Sequence, residues 1–445
     1  MLYPCKFACK KIKSPYLHGH NTSYKSSSIS LIQISPYPPE SGSEYHKMVA
    51  EELSKMLKFV LILAGLNHLV NLRDAEKTFG SIERYGTMMV LRSFWAPRLI
   101  ECRHPLKVMK YVVASVRNMI HIVKKSENVS RTIVLHFHYG LTTWPGALLG
   151  EHYVLGMFFA RFLTKAKVVW TIHAFLLPNQ VYEIVYSKVK SRVLAFLAVL
   201  YYIFLAKLAA LACHKIIVLT ISNNAPVVKY FSSMFGKQKV IEMMHPLFRV
   251  EHEYKPIKRK RGRTTIVALG YIRAEKNYET LFHALYKLKQ IDPNAYGKVR
   301  VIVTGTIERQ KPEDVKYLIR LRRLCQELRL DSVEFKIKHL TSREWHEILS
   351  ETDVVWCAYK RQYGPSGVYA WALTYNKVPL IMRSYTWEGP HVQGIALDQD
   401  KATEELIKLL RDSNMIDVTM SIKSQTPSLS EHVRSLVRSY MELEY

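Results

Sequence analysis

Acidic side chains are in short supply: 37 Asp and Glu stand against 64 Lys and Arg in 445 residues. The net charge of +27 implies a polyanionic partner, whether nucleic acid, anionic lipid or a phosphorylated substrate. Cysteine is scarce too, with six scattered residues. The one close pair, Cys5 and Cys9, lacks partners at a zinc spacing, and the rest read as reduced, mostly core thiols of a cytoplasmic protein. The first 28 residues contain no apolar stretch of signal-peptide length. Internal repeats and heptads are absent, which excludes a solenoid or a coiled coil. No recognised nucleic-acid-binding motif accompanies the charge, so nucleic acid is not the expected partner. The histidines form no ligand cluster in sequence, so no metal site is expected.

What is present describes a globular chain long enough for two domains, 48% apolar and 23% charged. Residues 1–28 read as a basic, mobile extension with five lysines and no acid. Residues 29–250 form a first domain, 251–263 a basic linker around KPIKRKRGR, 264–425 a second domain, and 426–445 a C-terminal helix. In the first domain SLIQIS predicts a strand, EYHKMVAEELSKMLKFV a helix, and TIVLHFH, KVVWTIH and KIIVLT further strands. In the second, TTIVALG, VRVIVTG, VEFKIKHL, DVVWCAY and VPLIMRS alternate with helical periodicity. Strands apolar on both faces in alternation with helices predict two doubly wound parallel sheets, each covered by helices.

Val193 to Ala206 is fourteen apolar residues without a break, followed by Lys207 and LAALAC. Lys188, Lys190 and Arg192 precede it and Lys215 follows. That is short for a span and Lys207 interrupts it, so the pattern reads as a buried or interface-dipping helix, with in-plane attachment to an anionic leaflet suiting the charge. A true transmembrane helix is the alternative.

Two loops of the second domain carry chemistry. In LGYIRAEKNYETLFHAL a strand ends at Leu269, Gly270 allows the turn, and Asn277 is placed to cap the next helix. Arg273 and Lys276 therefore sit beside a helix start, an arrangement suited to a diphosphate. Read alone, the loop could equally hold two solvated surface cations. In KRQYGPSGVYAWALTY, Gly364, Pro365, Ser366 and Gly367 precede a helix. Ser366 is placed to cap it, leaving the Gly367 and Val368 amides for an anion; an ordinary capped turn is the alternative.

The order ISPYPPESGSEYHKMVAEEL, VVWTIHAF, CHKIIVLTISN, GYIRAEKNYETLFHAL, VPLIMRS and EHVRSLVRSYMEL resembles the GT-B nucleotide-sugar glycosyltransferases related to glycosyltransferase group 1, over about residues 30–445. The resemblance implies two Rossmann-like domains facing a cleft and sugar transfer from a nucleoside-diphosphate donor. The acceptor would be a glycan or a lipid-linked molecule, in cell-surface glycan biosynthesis at the inner face of the cell membrane. Carried over by position, Arg273 and Lys276 neutralise the leaving diphosphate, helped by Gly270, Ser366, Gly367 and Val368. Gly42 lets the first-domain backbone approach the donor, and His173 contacts the sugar near the reacting carbon. No cofactor is implied, and the cationic loop takes the place of a metal ion. The chain departs from the family where two glutamates usually stand, since those positions are Gly364 and Ala372, or Tyr363 and Trp371. Without the pair, an inverting reaction would need a first-domain base, for which Glu151, Glu183 and His138 are candidates. Rival readings are a nucleotide-sugar epimerase of the same fold and a non-catalytic nucleotide-sugar-binding protein.

Overall fold

A computed structural model describes residues 29–35, 43–57, 59–64, 88–91, 117, 120, 123–124, 132–138, 151–173, 176–221, 225–250, 263–307, 312–338, 340–360, 366–382, 394–398, 400–411 and 426–443. Gly42 and the linker up to residue 262 lie outside them. The first domain runs β1 (Ile29–Ser35), α1 (Ser43–Met56), β2 (Phe59–Ala64), β3 (Met88–Leu91), β4 (Thr132–His138), α2 (Glu151–Leu163), β5 (Lys167–Ile172), α3 (Pro178–Val189), α4 (Arg192–Ala212), β6 (Lys215–Thr220), α5 (Pro226–Phe235) and β7 (Val240–Met244). The second runs β8 (Thr264–Ala268), α6 (Tyr278–Ile291), α7 (Pro293–Gly297), β9 (Val299–Gly305), α8 (Pro312–Glu327), β10 (Val333–Ile337), α9 (Ser342–Ser350), β11 (Val354–Cys357), α10 (Gly367–Thr374), β12 (Val378–Met382), β13 (Ile395–Leu397) and α11 (Ala402–Arg411). A last helix, α12 (Leu429–Met441), follows.

Both sheets are parallel throughout, ordered β3-β2-β1-β4-β5-β6-β7 and β10-β9-β8-β11-β12-β13. Each reverses direction beside its first strand, between β1 and β4 and between β8 and β11, the switch points where such sheets bind ligands. The central strands, such as KVVWTI and VVWC, are short β-branched or aromatic runs buried on both faces. One expectation is corrected: the first helix stops at Met56, and Phe59 and Val60 belong to β2. The six residues FVLILA lack a polar face, so they fit the sheet interior, paired with β1, better than an amphipathic helix.

The chain finishes against its own beginning. Ser428 and Glu431 close a capping box that starts α12. Val433, Leu436 and Tyr440 then pack among Tyr45, Met48, Val49 and Leu53 of α1. Buried polar contacts fix this seam. Tyr45 Oη lies 2.9 Å from His432 Nε2, His432 Nδ1 lies 3.0 Å from the Met244 carbonyl, and Tyr440 Oη lies 2.6 Å from His136 Nδ1. Nearby, the Leu247 amide donates to the Pro427 carbonyl (3.0 Å) and the Phe248 amide to the Thr374 hydroxyl (2.9 Å), tying the end of the first domain to α10 and the approach to α12.

Burial holds His245 down to about 4, and burial together with the charge of His245 holds His432 down to about 3. Unfolded, both bind protons near the ordinary histidine value of about 6.5. Their stabilising contribution is therefore complete above that pH and drains away as pH falls toward 4, by up to about 1.4 kcal/mol per pH unit each. Urea unfolding should show about 2–4 kcal/mol less stability at pH 5 than at pH 7.5, with His432→Gln reducing that difference by about half. An unchanged pH slope in the variant would contradict the assignment.

Candidate functional site

The loops leaving β8 and β11 diverge from the switch point of the second sheet. After β8, Gly270 takes φ +102°, a left-handed backbone that favours glycine, and the Ile272 amide donates to the Thr306 carbonyl at 3.0 Å. Gly305, at the end of β9, has φ +128°, and a Cβ there would stand 1.9 Å from the Gly270 carbonyl oxygen. Two backbones thus meet where no side chain fits. Gly305 was not singled out from sequence, although VRVIVTG ends on a glycine as TTIVALG does. On its other side, a Cβ at Gly270 would lie 3.6 Å from Val368 Cγ2, so the β8 loop also abuts the start of α10.

The cations are held from below. Lys276 ends a single 3₁₀ turn, Ala274–Lys276, and its Nζ lies 3.7 Å from the centre of the Tyr359 ring. Its carbonyl accepts from Trp356 Nε1 (2.8 Å), and the Glu275 carbonyl accepts from the Lys360 amide (2.8 Å), so the β8 loop is tied to the end of β11. Burial lowers the Lys276 ammonium to about 8 and pushes the adjacent Cys357 thiol up to about 12. Arg273 lies 4.8 Å over the Tyr271 ring, with Nη1 3.7 Å from Glu275 and Nε 3.9 Å from Asp314. Asp314, buried in the first turn of α8, is a positioning carboxylate that no sequence signal marked.

Both expected caps differ in detail. Asn277 precedes α6 with φ +57°, and its Oδ1 accepts from the Thr280 hydroxyl at 2.9 Å. A capping side chain needs an extended backbone, whereas the tight exit from the 3₁₀ turn needs a left-handed residue, which asparagine tolerates. Ser366 has the extended backbone but makes no cap bond, and its hydroxyl lies 3.3 Å from Tyr359 Oη. The first turn of α10 therefore has no side-chain cap, and Gly367 is exposed. Tyr359 links the two loops, touching Lys276 with its ring and Ser366 with its hydroxyl.

The first domain contributes a histidine group. His173 follows β5, half-buried, with Nε2 3.0 Å from Nδ1 of the buried His138. The Tyr45 ring stands edge-on to His173 at 5.3 Å. Ring contacts continue from Tyr45 to His245 (5.0 Å), to Phe248 (5.5 Å) and to Trp371 of α10 (4.5 Å). Of the other first-domain candidates, Glu183 is exposed on α3 and Glu151 begins α2. Ala372 is buried in the core and Trp371 packs on Phe248, so neither position offers a carboxylate; Tyr363 and Gly364 lie outside the described residues.

Comparison with solved structures settles the fold. A glycosyltransferase from Rickettsia africae superposes with TM-score 0.59 at 13% identity, covering 94% of this chain and 98% of its own. HepE from Anabaena, solved with UDP, gives 0.62 at 12% identity over 93% and 100% of the two chains. A UDP-forming α,α-trehalose-phosphate synthase from Burkholderia xenovorans, solved with glucose-6-phosphate, gives 0.61 at 11% identity over 93% and 100%. The chain has the GT-B fold. No family model and no curated protein sequence matches it. In this GT-B chain the loops after β8 and β11 occupy the switch point of the second domain, and α12 returns to the first.

Gly305→Ala combines a left-handed backbone with a clash, and should cost about 3 kcal/mol or more. Gly236→Ala is the control, because φ there is +92° but nothing lies within 4 Å of the added methyl. It should cost about 1 kcal/mol. Equal losses in thermal and urea unfolding would contradict the close approach of Gly305 to Gly270.

Proposed function

We propose that the protein is a glycosyltransferase that moves a sugar from a nucleoside-diphosphate donor to a glycan or lipid-linked acceptor in cell-surface glycan biosynthesis. One observation carries this reading: Arg273, Lys276 and the start of α10 are drawn together at a single switch point by Gly270, Val368 and Tyr359. The UDP and UDP-glucose of the HepE structures support a nucleotide-sugar donor. In the transfer, the bond from the anomeric carbon to the diphosphate oxygen breaks and its electron pair departs with the phosphate. The acceptor's hydroxyl oxygen bonds to that carbon and releases its proton. Charge grows on the diphosphate, and Lys276, already stripped of much of its water, pairs with it more strongly than an exposed lysine would. Arg273 is kept in place by Glu275 and Asp314. His173, fixed by its bond to His138, contacts the donor sugar. The buried thiols of Cys213, Cys325 and Cys357 suit a reducing, cytoplasmic setting.

Calorimetry against UDP, GDP, ADP, dTDP and their sugar conjugates should find one diphosphate bound specifically. Arg273→Ala/Lys276→Ala should weaken it by at least about 30-fold. No binding by the folded protein would overturn the proposal, and conversion of the donor alone into a second nucleotide sugar would replace it with an epimerase.

The Lys276 value adds a pH test. The anion favours the protonated lysine, so binding near pH 8 should take up protons, visible as a dependence of the binding heat on buffer ionisation. Affinity should fall above about pH 8 by up to tenfold per pH unit. Lys276→Ala should abolish both effects, and a flat profile in the wild type would contradict them.

A further inference from the structure

Helix α4 was expected to be buried or to lie at an interface, and it is two-faced. Tyr202, Leu205, Ala206, Ala209 and Ala210 join the first-domain core, where the Tyr202 hydroxyl accepts from the Leu176 amide at 3.0 Å. The opposite stripe, Val193, Phe196, Leu200, Phe204 and Leu211, is between 48% and 68% exposed. Helix α2 packs against the far end of α4 through Met157 and Cys213, and there it adds Phe162, 59% exposed. Of the seventeen exposed large hydrophobic residues in the described chain, twelve fall on α2, α3 and α4. A patch this concentrated needs an occupant.

Charge identifies it. Exposed cations rim the patch at Arg161, Lys165, Lys190 and Arg192, and Lys207 rises within it. Between Glu183 and Glu242 the chain has eight Lys and Arg and not one Asp or Glu. We infer that the outer face of α4 with the end of α2 is an in-plane docking surface for an anionic lipid bilayer. The apolar stripe enters the acyl boundary while the surrounding cations meet lipid phosphates. Lys207 reaches the headgroups along its aliphatic stem. Two other occupants fit less well. A symmetric second copy would set this basic rim against itself, like charge on like. A membrane-crossing α4 is long and apolar enough, but it would have to withdraw Tyr202, Ala206 and Ala209 from the first-domain core.

Vesicle sedimentation of the full chain tests this, using phosphatidylcholine alone and phosphatidylcholine with 30% phosphatidylglycerol. Binding should require the anionic lipid and be reversed by carbonate extraction. Phe196→Gln/Leu200→Gln/Phe204→Gln should weaken it at least tenfold with an unchanged melting temperature. If that variant folds poorly, Lys190→Gln/Arg192→Gln/Lys207→Gln, which alters surface charge alone, should still give a clear loss on anionic vesicles. Any one of four results overturns the inference. These are no vesicle binding, full binding by both variants, resistance to carbonate extraction, or a solution dimer that the apolar variant dissociates.

Discussion

A backbone-on-backbone contact governs the candidate site. Gly305 leaves no room for a side chain against the Gly270 carbonyl, and that contact sets the path of the chain out of β8. Because of this path, the 3₁₀ turn carrying Lys276 passes over the Tyr359 ring at the end of β11, and Gly270 faces Val368 at the start of α10, where an added Cβ would come into contact. Two loops that leave a parallel sheet in opposite directions are thereby joined into one surface. The switch point supplies the crevice, and the glycines allow the backbones to close it.

The electrostatics follow from that closeness. An ammonium lowered to about 8 by burial is a cation whose charged form the fold does not favour, and an arriving anion relieves the cost. Arg273 is arranged differently, with Glu275 and Asp314 near its guanidinium, which orients it while tempering its charge. The site thus contains one cation primed by desolvation and one positioned by carboxylates. In the first domain, His138 and His173 lie beside the seam where α12 packs on α1, so the groups expected to face the sugar rest on contacts between α1 and the last helix.

Much of the architecture was legible because parallel strands and their helices write different periods into the chain. The runs KVVWTI, KIIVLT and VRVIVTG are short and rich in β-branched residues, as strands buried on both faces are, and Gly270 with the basic residues after it marks a strand-to-helix loop. The misses have physical reasons. FVLILA adjoins a good amphipathic helix without a glycine or proline between them, so its period was absorbed into α1. The outer strands β3, β7 and β13, with the sequences MMVL, VIEMM and IAL, are not marked as strands in the sequence; in β7 a glutamate interrupts the apolar run. Gly305 and Asp314 act through the tertiary approach of β9 and α8 to the β8 loop, which no spacing within one segment encodes. Caps at Asn277 and Ser366 were expected from residue type, but a left-handed turn and the Tyr359 hydroxyl engage those side chains instead.

The most direct test of the central claim is a crystal structure of the protein grown with the nucleoside diphosphate that binds it best. The terminal phosphate should lie within hydrogen-bonding reach of Lys276 Nζ and the amides of Gly367 and Val368, with Arg273 alongside. Density for the diphosphate at the β1–β4 switch point of the first sheet, or anywhere remote from Lys276, would contradict it.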